Sequence, residues 1–218
     1  MDHAFGLIIP LTLDEVCRPD RTALVVYDMQ VGIVSQIPTG QEITGRVRRV
    51  LQAARDEGVR VFFTRHMSLP NEVAGVAQLR TAMAWQRVDR AAKTKPAFPR
   101  DSPQFQLVPD LTPLANEAVF DKITMSAFVG TPLDAALRDC GINSFVIVGI
   151  ALEIGIEPTV RHATDLGYIP ILVEDACGWR DAAAAQRARA QLAFVGGSFA
   201  TDTDTIVAVL RGGSGHPS

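Results

Sequence analysis

The chain of 218 residues has few or none of several features that would point to particular classes of protein. Its three cysteines, Cys17, Cys140 and Cys177, form no CxxC pair and no metal-ligand spacing, which argues against a disulfide framework and favours a reducing compartment. No apolar run approaches the length that spans a bilayer, and the first residues show no basic segment followed by an apolar one. We therefore expect a cytoplasmic protein with no membrane partner.

An excess of charge of one sign and a phosphate-binding loop are also missing. The chain has 24 acidic residues against 21 basic ones, interspersed along its length, so we expect no nucleic-acid partner. Neither GxGxxG nor GxxxxGK[ST] follows the first strand, and we expect no nucleotide cofactor. The four histidines are not clustered, so we assign no metal. The expected partners are a small-molecule substrate and further copies of this chain.

The sequence does contain strand and helix patterns in alternation. The clearest apolar runs are TALVVYD (22–28), VRVFFT (59–64) and SFVIVG (144–149). Repeated βα units with such runs predict an α/β fold, a parallel sheet covered by helices on both faces. We interpret 1–218 as a single domain. Residues 67–110 are expected to leave the sheet to line a pocket or build an oligomer contact, and residues 211–218 to form a flexible tail.

Three candidate site residues fall where predicted strands end. Asp28 follows the run LVVY directly, and Lys122 ends the weaker run EAVFDK. Gly155 stands at the corner where SFVIVG turns into a helix. Because the carboxyl ends of parallel strands meet at one edge of a sheet, we expect these residues to face one ligand crevice. Asp28 is a candidate general acid or base and Lys122 a stabiliser of negative charge. The alternatives are a capping aspartate and a solvated lysine.

Other residues are candidate contacts for a substrate. His66 follows the second strand and could reach the crevice as a polar contact. Glu153 precedes Gly155 on the corner that is expected to face the site. Trp85 is a candidate pocket wall, although tryptophans more often belong to a core or an interface.

Three motifs in this order resemble those of one known family. They are YDMQ after the first strand, KITMSAFVGTPLD in the middle, and GIALEIGIEPTVRHATDLGY followed by VEDA. Together they resemble the isochorismatase-like hydrolase superfamily, also called the cysteine hydrolase family. The resemblance implies a Rossmann-like three-layer αβα sandwich with a mainly parallel six-stranded sheet. It also implies a cofactor-independent hydrolase, a homo-oligomer (dimer or tetramer), and Phe128 of the SAF motif as a pocket wall.

The resemblance assigns roles to the three residues at the strand ends. The amidases of the family use an Asp-Lys-Cys triad, whose first two members match Asp28 and Lys122, whereas Gly155 stands in place of the nucleophile. The isochorismatases, which cleave a vinyl ether, also have glycine there. The family often has a cis peptide at the site matching Ile150-Ala151, which would aim backbone N–H groups of Ala151 and Gly155 at an oxyanion.

Several hypotheses follow for the function. The leading one is a small-molecule hydrolase without a cysteine nucleophile. Asp28 would protonate a vinyl ether, or Asp28 or Glu153 would activate water against an amide-like C–N bond, with Lys122 as electrostatic partner. The alternative is a catalytically silent family member that binds a ligand or serves as a scaffold. A third interpretation is that glycine was engineered in place of a native cysteine at position 155 to trap substrate.

Overall fold

The computed structural model describes residues 1–212. Its strands are β1 (Asp2–Ala4), β2 (Leu7–Ile9), β3 (Thr22–Tyr27), β4 (Arg60–His66), β5 (Ala118–Lys122), β6 (Ser144–Ile150), β7 (Ile169–Gly178) and β8 (Phe199–Thr201). Its α-helices are α1 (Leu13–Val16), α2 (Val31–Val34), α3 (Gly40–Asp56), α4 (Val76–Gln86), α5 (Leu133–Asp139), α6 (Glu157–Asp165), α7 (Ala182–Val195) and α8 (Thr203–Leu210).

The central sheet has six strands in the order β5-β4-β3-β6-β7-β8, and all neighbours in it are parallel. Strands β1 and β2 form a separate antiparallel pair. Chain order reverses between β3 and β6, which makes a topological switch point there. The predicted α/β fold with a six-stranded parallel sheet is confirmed.

Alternate residues of β3 bury opposite faces of the sheet, as the period of a strand requires. Leu24 and Val26 belong to a core cluster that includes side chains of α3 and α8. Val25 and Tyr27 belong to a second cluster, with side chains of α5, α6 and α7. Because both faces are covered, every residue of β3 is buried, which explains its uninterrupted apolar sequence.

The segment predicted to leave the sheet runs between β4 and β5. It contains α4 and three short 3₁₀ turns, at Ala91–Lys93, Pro103–Phe105 and Pro109–Leu111. The tail predicted for residues 211–218 lies, beyond Gly212, outside the described residues. Within residues 1–212, none of the helices is both long enough and apolar enough to cross a membrane.

Gly149 on β6 lies against the backbone of β3, so substituting it tests how closely these two strands approach each other. Its φ is +130°, and a Cβ built on it would lie 2.8 Å from the carbonyl carbon of Tyr27 and 2.9 Å from the Tyr27 nitrogen. We expect Gly149→Ala to lower the free energy of unfolding by about 2–5 kcal/mol, because a clash with backbone adds to a strained φ. Denaturant unfolding measures the change.

Gly45 in α3 is the matched control for this substitution. A Cβ at Gly45 would meet no atom within 4 Å, and alanine favours a helix interior by roughly 0.5–1 kcal/mol over glycine. Gly45→Ala should therefore stabilise the protein. Equal stability of wild type and Gly149→Ala would contradict the close approach of β3 and β6.

Candidate active site

Three polar side chains meet at the carboxyl edge of the sheet. Asp28 follows β3 directly, and Lys122 is the last residue of β5. Thr64 lies on β4 between these strands, in register with Tyr27. Asp28 itself has a φ of +48°, a left-handed conformation in which aspartate is found more often than most residues. Such conformations concentrate at functional sites.

Asp28 and Lys122 form a buried ion pair. Lys122 Nζ donates to Asp28 Oδ2 at 2.6 Å, and Thr64 Oγ1 donates to Asp28 Oδ1 at 2.6 Å. The Lys122 side chain is 0% exposed and that of Asp28 is 5% exposed. Removing one partner of such a pair leaves an uncompensated buried charge, which costs about 3–5 kcal/mol. Each of the two charges can therefore stay buried only in the presence of the other.

The ammonium of Lys122 is enclosed by further contacts. Nζ donates to the carbonyl oxygen of Thr124 at 3.2 Å and lies 4.3 Å from the centroid of the Tyr27 ring, a cation–π contact. Burial lowers the pKa of Lys122 from its ordinary value, and the neighbouring Asp28 carboxylate opposes that shift. The Lys122 side chain is fully enclosed and is not among the groups that line the cavity beside Asp28.

Gly155 lies at the predicted strand-to-helix corner, within a π turn that spans Leu152–Ile156 between β6 and α6. The peptide between Ile150 and Ala151 is cis. The carbonyl oxygen of Ala151 accepts hydrogen bonds from the N–H groups of Ile154 (3.3 Å), Gly155 (3.0 Å) and Ile156 (3.2 Å). The expectation that the Gly155 N–H receives an oxyanion is therefore wrong, because this donor is committed to the turn.

Tyr27 fills the space in front of Gly155. A Cβ built on Gly155 would overlap the Tyr27 hydroxyl and lie 2.7 Å from Tyr27 Cε1. The hydroxyl donates to the carbonyl oxygen of Met125, and the ring is 1% exposed. Burial, aided by the Asp28 charge, raises the pKa of Tyr27 well above its ordinary value. Position 155 thus has no room for any side chain while Tyr27 stays in place.

A cavity of about 520 Å³ opens beside Asp28. Among the residues predicted for the site, those lining this cavity are Asp28, His66, Trp85, Ile150, Ala151 and Gly155. The segment of residues 67–110 forms one wall, with Trp85 on α4 and Phe98 beyond it. The crevice at the switch point thus brings together residues that are distant in sequence.

His66 faces the cavity next to the buried pair. Burial and the Lys122 charge lower the pKa of His66, while the Asp28 charge opposes the shift. The ring is therefore neutral at neutral pH. A neutral imidazole can donate and accept hydrogen bonds to a ligand without adding charge to the cavity.

Two predicted pocket residues lie elsewhere. Glu153 Oε1 accepts hydrogen bonds from the N–H groups of Arg180 (2.8 Å) and Asp181 (3.0 Å). This oxygen therefore contacts the backbone just before α7. Phe128 packs in the core, with its ring stacked on Tyr168 at 5.7 Å between centroids. Neither is among the residues that line the cavity, and a substrate-binding role for them stays a prediction.

Sequence reasoning missed three residues that shape the site. Thr64 holds the second oxygen of Asp28, and Tyr27 closes the corner at Gly155. Gln30 is fully buried. Its side chain accepts a hydrogen bond from the His66 N–H at 2.6 Å and donates one to the Phe105 carbonyl oxygen at 2.9 Å, which fixes the end of β4. The motif YDMQ contains two of the three, but apolar strand periodicity gives no sign of what their side chains contact.

The described residues around the cavity include no cysteine and no group of three or more possible metal ligands. All three cysteines lie within residues 1–212, and none lines the cavity. Cys177, at the carboxyl edge, is buried, which raises its pKa. Across the described part of the chain, no three His, Cys, Asp or Glu side chains are grouped so that they could hold a metal ion. The reactive and hydrogen-bonding groups that line the cavity include the Asp28 carboxylate, the His66 imidazole, hydroxyl groups and backbone.

The fold and the site define an α/β protein with a crevice at the carboxyl edge of its sheet, lined by the ionisable side chains of Asp28 and His66. The Isochorismatase domain matches residues 22–205, and the chain belongs to that family. It is similar to ureidoacrylate amidohydrolase RutB of Serratia proteamaculans (strain 568), at 31% identity over 176 residues, 72% of this chain and 70% of that protein.

One further relative supports the family, and one solved structure shares the fold. The uncharacterized isochorismatase family protein YecD of Escherichia coli O157:H7 is 33% identical over 159 residues, 72% of this chain and 79% of that one. A cysteine hydrolase from Pseudomonas syringae pv. phaseolicola 1448A has the same fold, with a TM-score of 0.74 at 24% identity over 90% of this chain and 95% of that one. The protein is a hydrolase of the isochorismatase family.

The contact between Tyr27 and Gly155 can be tested by a double-mutant cycle. We expect Gly155→Cys to lower the free energy of unfolding by about 1–3 kcal/mol, because the new side chain overpacks against the Tyr27 ring. In a Tyr27→Ala background the same substitution should cost less by at least about 0.5 kcal/mol, because the clash is gone. Urea unfolding of the four proteins gives the coupling.

Tyr27→Phe is the matched control, since it keeps the ring carbons that a Cβ at position 155 would meet. Gly155→Cys should remain destabilising in the Tyr27→Phe background. If Gly155→Cys is as stable as wild type in all backgrounds, Tyr27 does not occupy the corner.

Proposed function

We propose that the protein hydrolyses an amide-like C–N bond by direct attack of water, with Asp28 as general base and no covalent enzyme intermediate. Amide and ureido compounds are the substrate classes in view, in keeping with the relative that is named a ureidoacrylate amidohydrolase. The observation that carries the proposal is the set of hydrogen bonds to Asp28.

Both oxygens of Asp28 accept hydrogen bonds, one from the Lys122 ammonium and one from the Thr64 hydroxyl. Donors of this kind favour the ionised carboxylate over the protonated acid. An ionised carboxylate has several lone pairs and no proton to give, so it suits a base better than an acid. This favours activation of water over protonation of a vinyl ether.

The reaction then follows in two steps. Asp28 takes a proton from water while the water oxygen forms a bond to the carbonyl carbon, giving a tetrahedral intermediate. The intermediate collapses, the C–N bond breaks, and Asp28 returns the proton to the leaving nitrogen. The products are a carboxylic acid and an amine or ammonia, and no redox partner or cofactor is required.

Lys122 serves in this scheme as a positioning residue. Its enclosed ammonium keeps Asp28 ionised before the reaction and stabilises the carboxylate again when the proton leaves. Contact with a substrate carboxylate or an oxyanion would need Lys122 to leave its enclosure, so we do not assign it that role. The Ala151 N–H, at the cavity wall, stays our candidate donor to the oxyanion.

A second candidate function is a catalytically silent family member that binds a ligand. It is favoured by one observation, that Tyr27 occupies the space in which a nucleophilic side chain at position 155 would stand. The same observation fits a hydrolase that uses water alone. The two candidates differ in what the loss of the Asp28 charge should do.

We expect Asp28→Asn to lower kcat about 10²–10⁴-fold, the usual contribution of a general base. Because the substitution leaves Lys122 buried without its charge partner, it should also lower the free energy of unfolding by about 3–5 kcal/mol, so kcat is measured on protein whose far-UV spectrum is that of the folded state. Release of ammonia or amine from a panel of primary amides and ureido acids gives the rates. Asp20→Asn, at an exposed position, is the control and should keep full activity.

Other results would decide against the proposal. Full activity of Asp28→Asn on the panel would remove Asp28 from the reaction. Unchanged ligand affinity with no turnover by wild type would favour the silent binder. Release of pyruvate from isochorismate, with no amide cleaved, would favour vinyl ether cleavage.

A further inference from the structure

The cavity is larger than the reacting group alone requires. Its volume of about 520 Å³ lies within the range of pockets that enclose drug-sized ligands, roughly 300–1,000 Å³. Asp28 lies at one place in its wall, so most of the space surrounds a part of the substrate that does not react. The chemistry of the remaining wall therefore indicates what that part is.

The wall of the cavity is mainly apolar. Ile33, Ile37 and Ile154 line it near the sheet, and Leu79 and Trp85 line it from α4. Trp85 is 42% exposed and Ile37 is 7% exposed. Burying these surfaces against an apolar ligand is favourable by roughly 25 cal/mol for each Å² removed from water, and the exposed ring of Trp85 is of a type enriched in binding surfaces.

Charged groups in the wall are few and placed unfavourably for an anion. Among the described residues that line the cavity, the basic side chains other than neutral His66 are Lys95 and Arg180, and both residues are exposed. Lys122 is enclosed and paired with Asp28. The other polar lining side chains are uncharged amides and hydroxyls. A carboxylate deep in this cavity would lose its hydration, find no free buried cation, and be repelled by Asp28.

We propose that the substrate is an uncharged amide-type molecule with a bulky apolar group, aryl or branched alkyl, and that this group lies against α4 while the carbonyl stands over Asp28. This rests on the proposed function and deepens it, because it selects neutral apolar amides over ureido acids and other carboxylates. The bond cleaved and the proton transfers are those described above.

A matched pair of amides tests the proposal. 3-Phenylpropanamide and 3-(4-carboxyphenyl)propanamide share the reacting amide and differ in one carboxylate. Wild type should hydrolyse the neutral amide with a kcat/KM at least about tenfold higher, since differences in one group of a substrate commonly change kcat/KM by about 10–200-fold.

Two arginine substitutions on α4 provide the variant and its control. Ala82 lines the cavity and is half-buried, whereas Ala84, two residues later, is exposed and is not part of the cavity wall. Ala82→Arg should reduce the preference for the neutral amide at least about fivefold, because it supplies a cation to the apolar wall. Ala84→Arg should leave the preference as in wild type.

Three outcomes overturn the inference or separate it from the proposed function. Equal or faster hydrolysis of the carboxylated amide by wild type would overturn the inference and leave the proposed function standing. If neither amide is hydrolysed, calorimetric titration of the same compounds decides. Tighter binding of the neutral amide would then support the apolar cavity and contradict the proposed amide hydrolysis, and binding of neither amide would contradict both.

Discussion

The structure of this site depends on one buried ion pair. Asp28 and Lys122 come from strands that are separated by β4, and the sheet order brings their side chains to 2.6 Å. Neither charge could stay buried alone. Around the pair, the Thr64 hydroxyl donates to the second carboxylate oxygen, the Tyr27 ring covers the ammonium, and the Thr124 carbonyl oxygen accepts a hydrogen bond from the ammonium. These contacts hold the Asp28 carboxylate in a fixed orientation at the wall of the cavity.

The second constraint is the fit between Tyr27 and Gly155. Strand periodicity points the Tyr27 ring towards the side of the sheet covered by α6, where it meets the π turn. Glycine at position 155 is then a steric requirement, because any Cβ there would overlap the ring. The hypothesis that glycine was engineered here in place of a native cysteine would require Tyr27 to lie elsewhere in the protein with cysteine. The Tyr27 ring fills the space beside Gly155 in which a nucleophilic side chain would stand. This is consistent with water as the attacking group.

The sequence was sufficient to predict the scaffold and insufficient to predict the lining of the site. Apolar runs and helix boundaries predict the parallel sheet, and residues at or soon after the end of an apolar strand lie at its carboxyl edge. That is why Asp28 after β3, Lys122 at the end of β5 and Gly155 in the turn after β6 could be predicted there. The sequence did not reveal that Glu153 and Phe128 lie outside the cavity wall. The direction in which a corner or loop side chain turns depends on distant partners, here the α7 backbone and Tyr168. The homo-oligomer and the cytoplasmic location stay predictions.

The central claim is that Asp28 is an ionised base held by a charged Lys122. Neutron diffraction from a deuterated crystal at neutral pH measures this most directly, because it locates the deuterons on both groups. The account predicts three deuterons on Lys122 Nζ, one of them directed at Asp28 Oδ2, and none on either oxygen of Asp28. A deuteron on the Asp28 carboxyl group would contradict it, and would make Asp28 an acid suited to cleaving an enol ether.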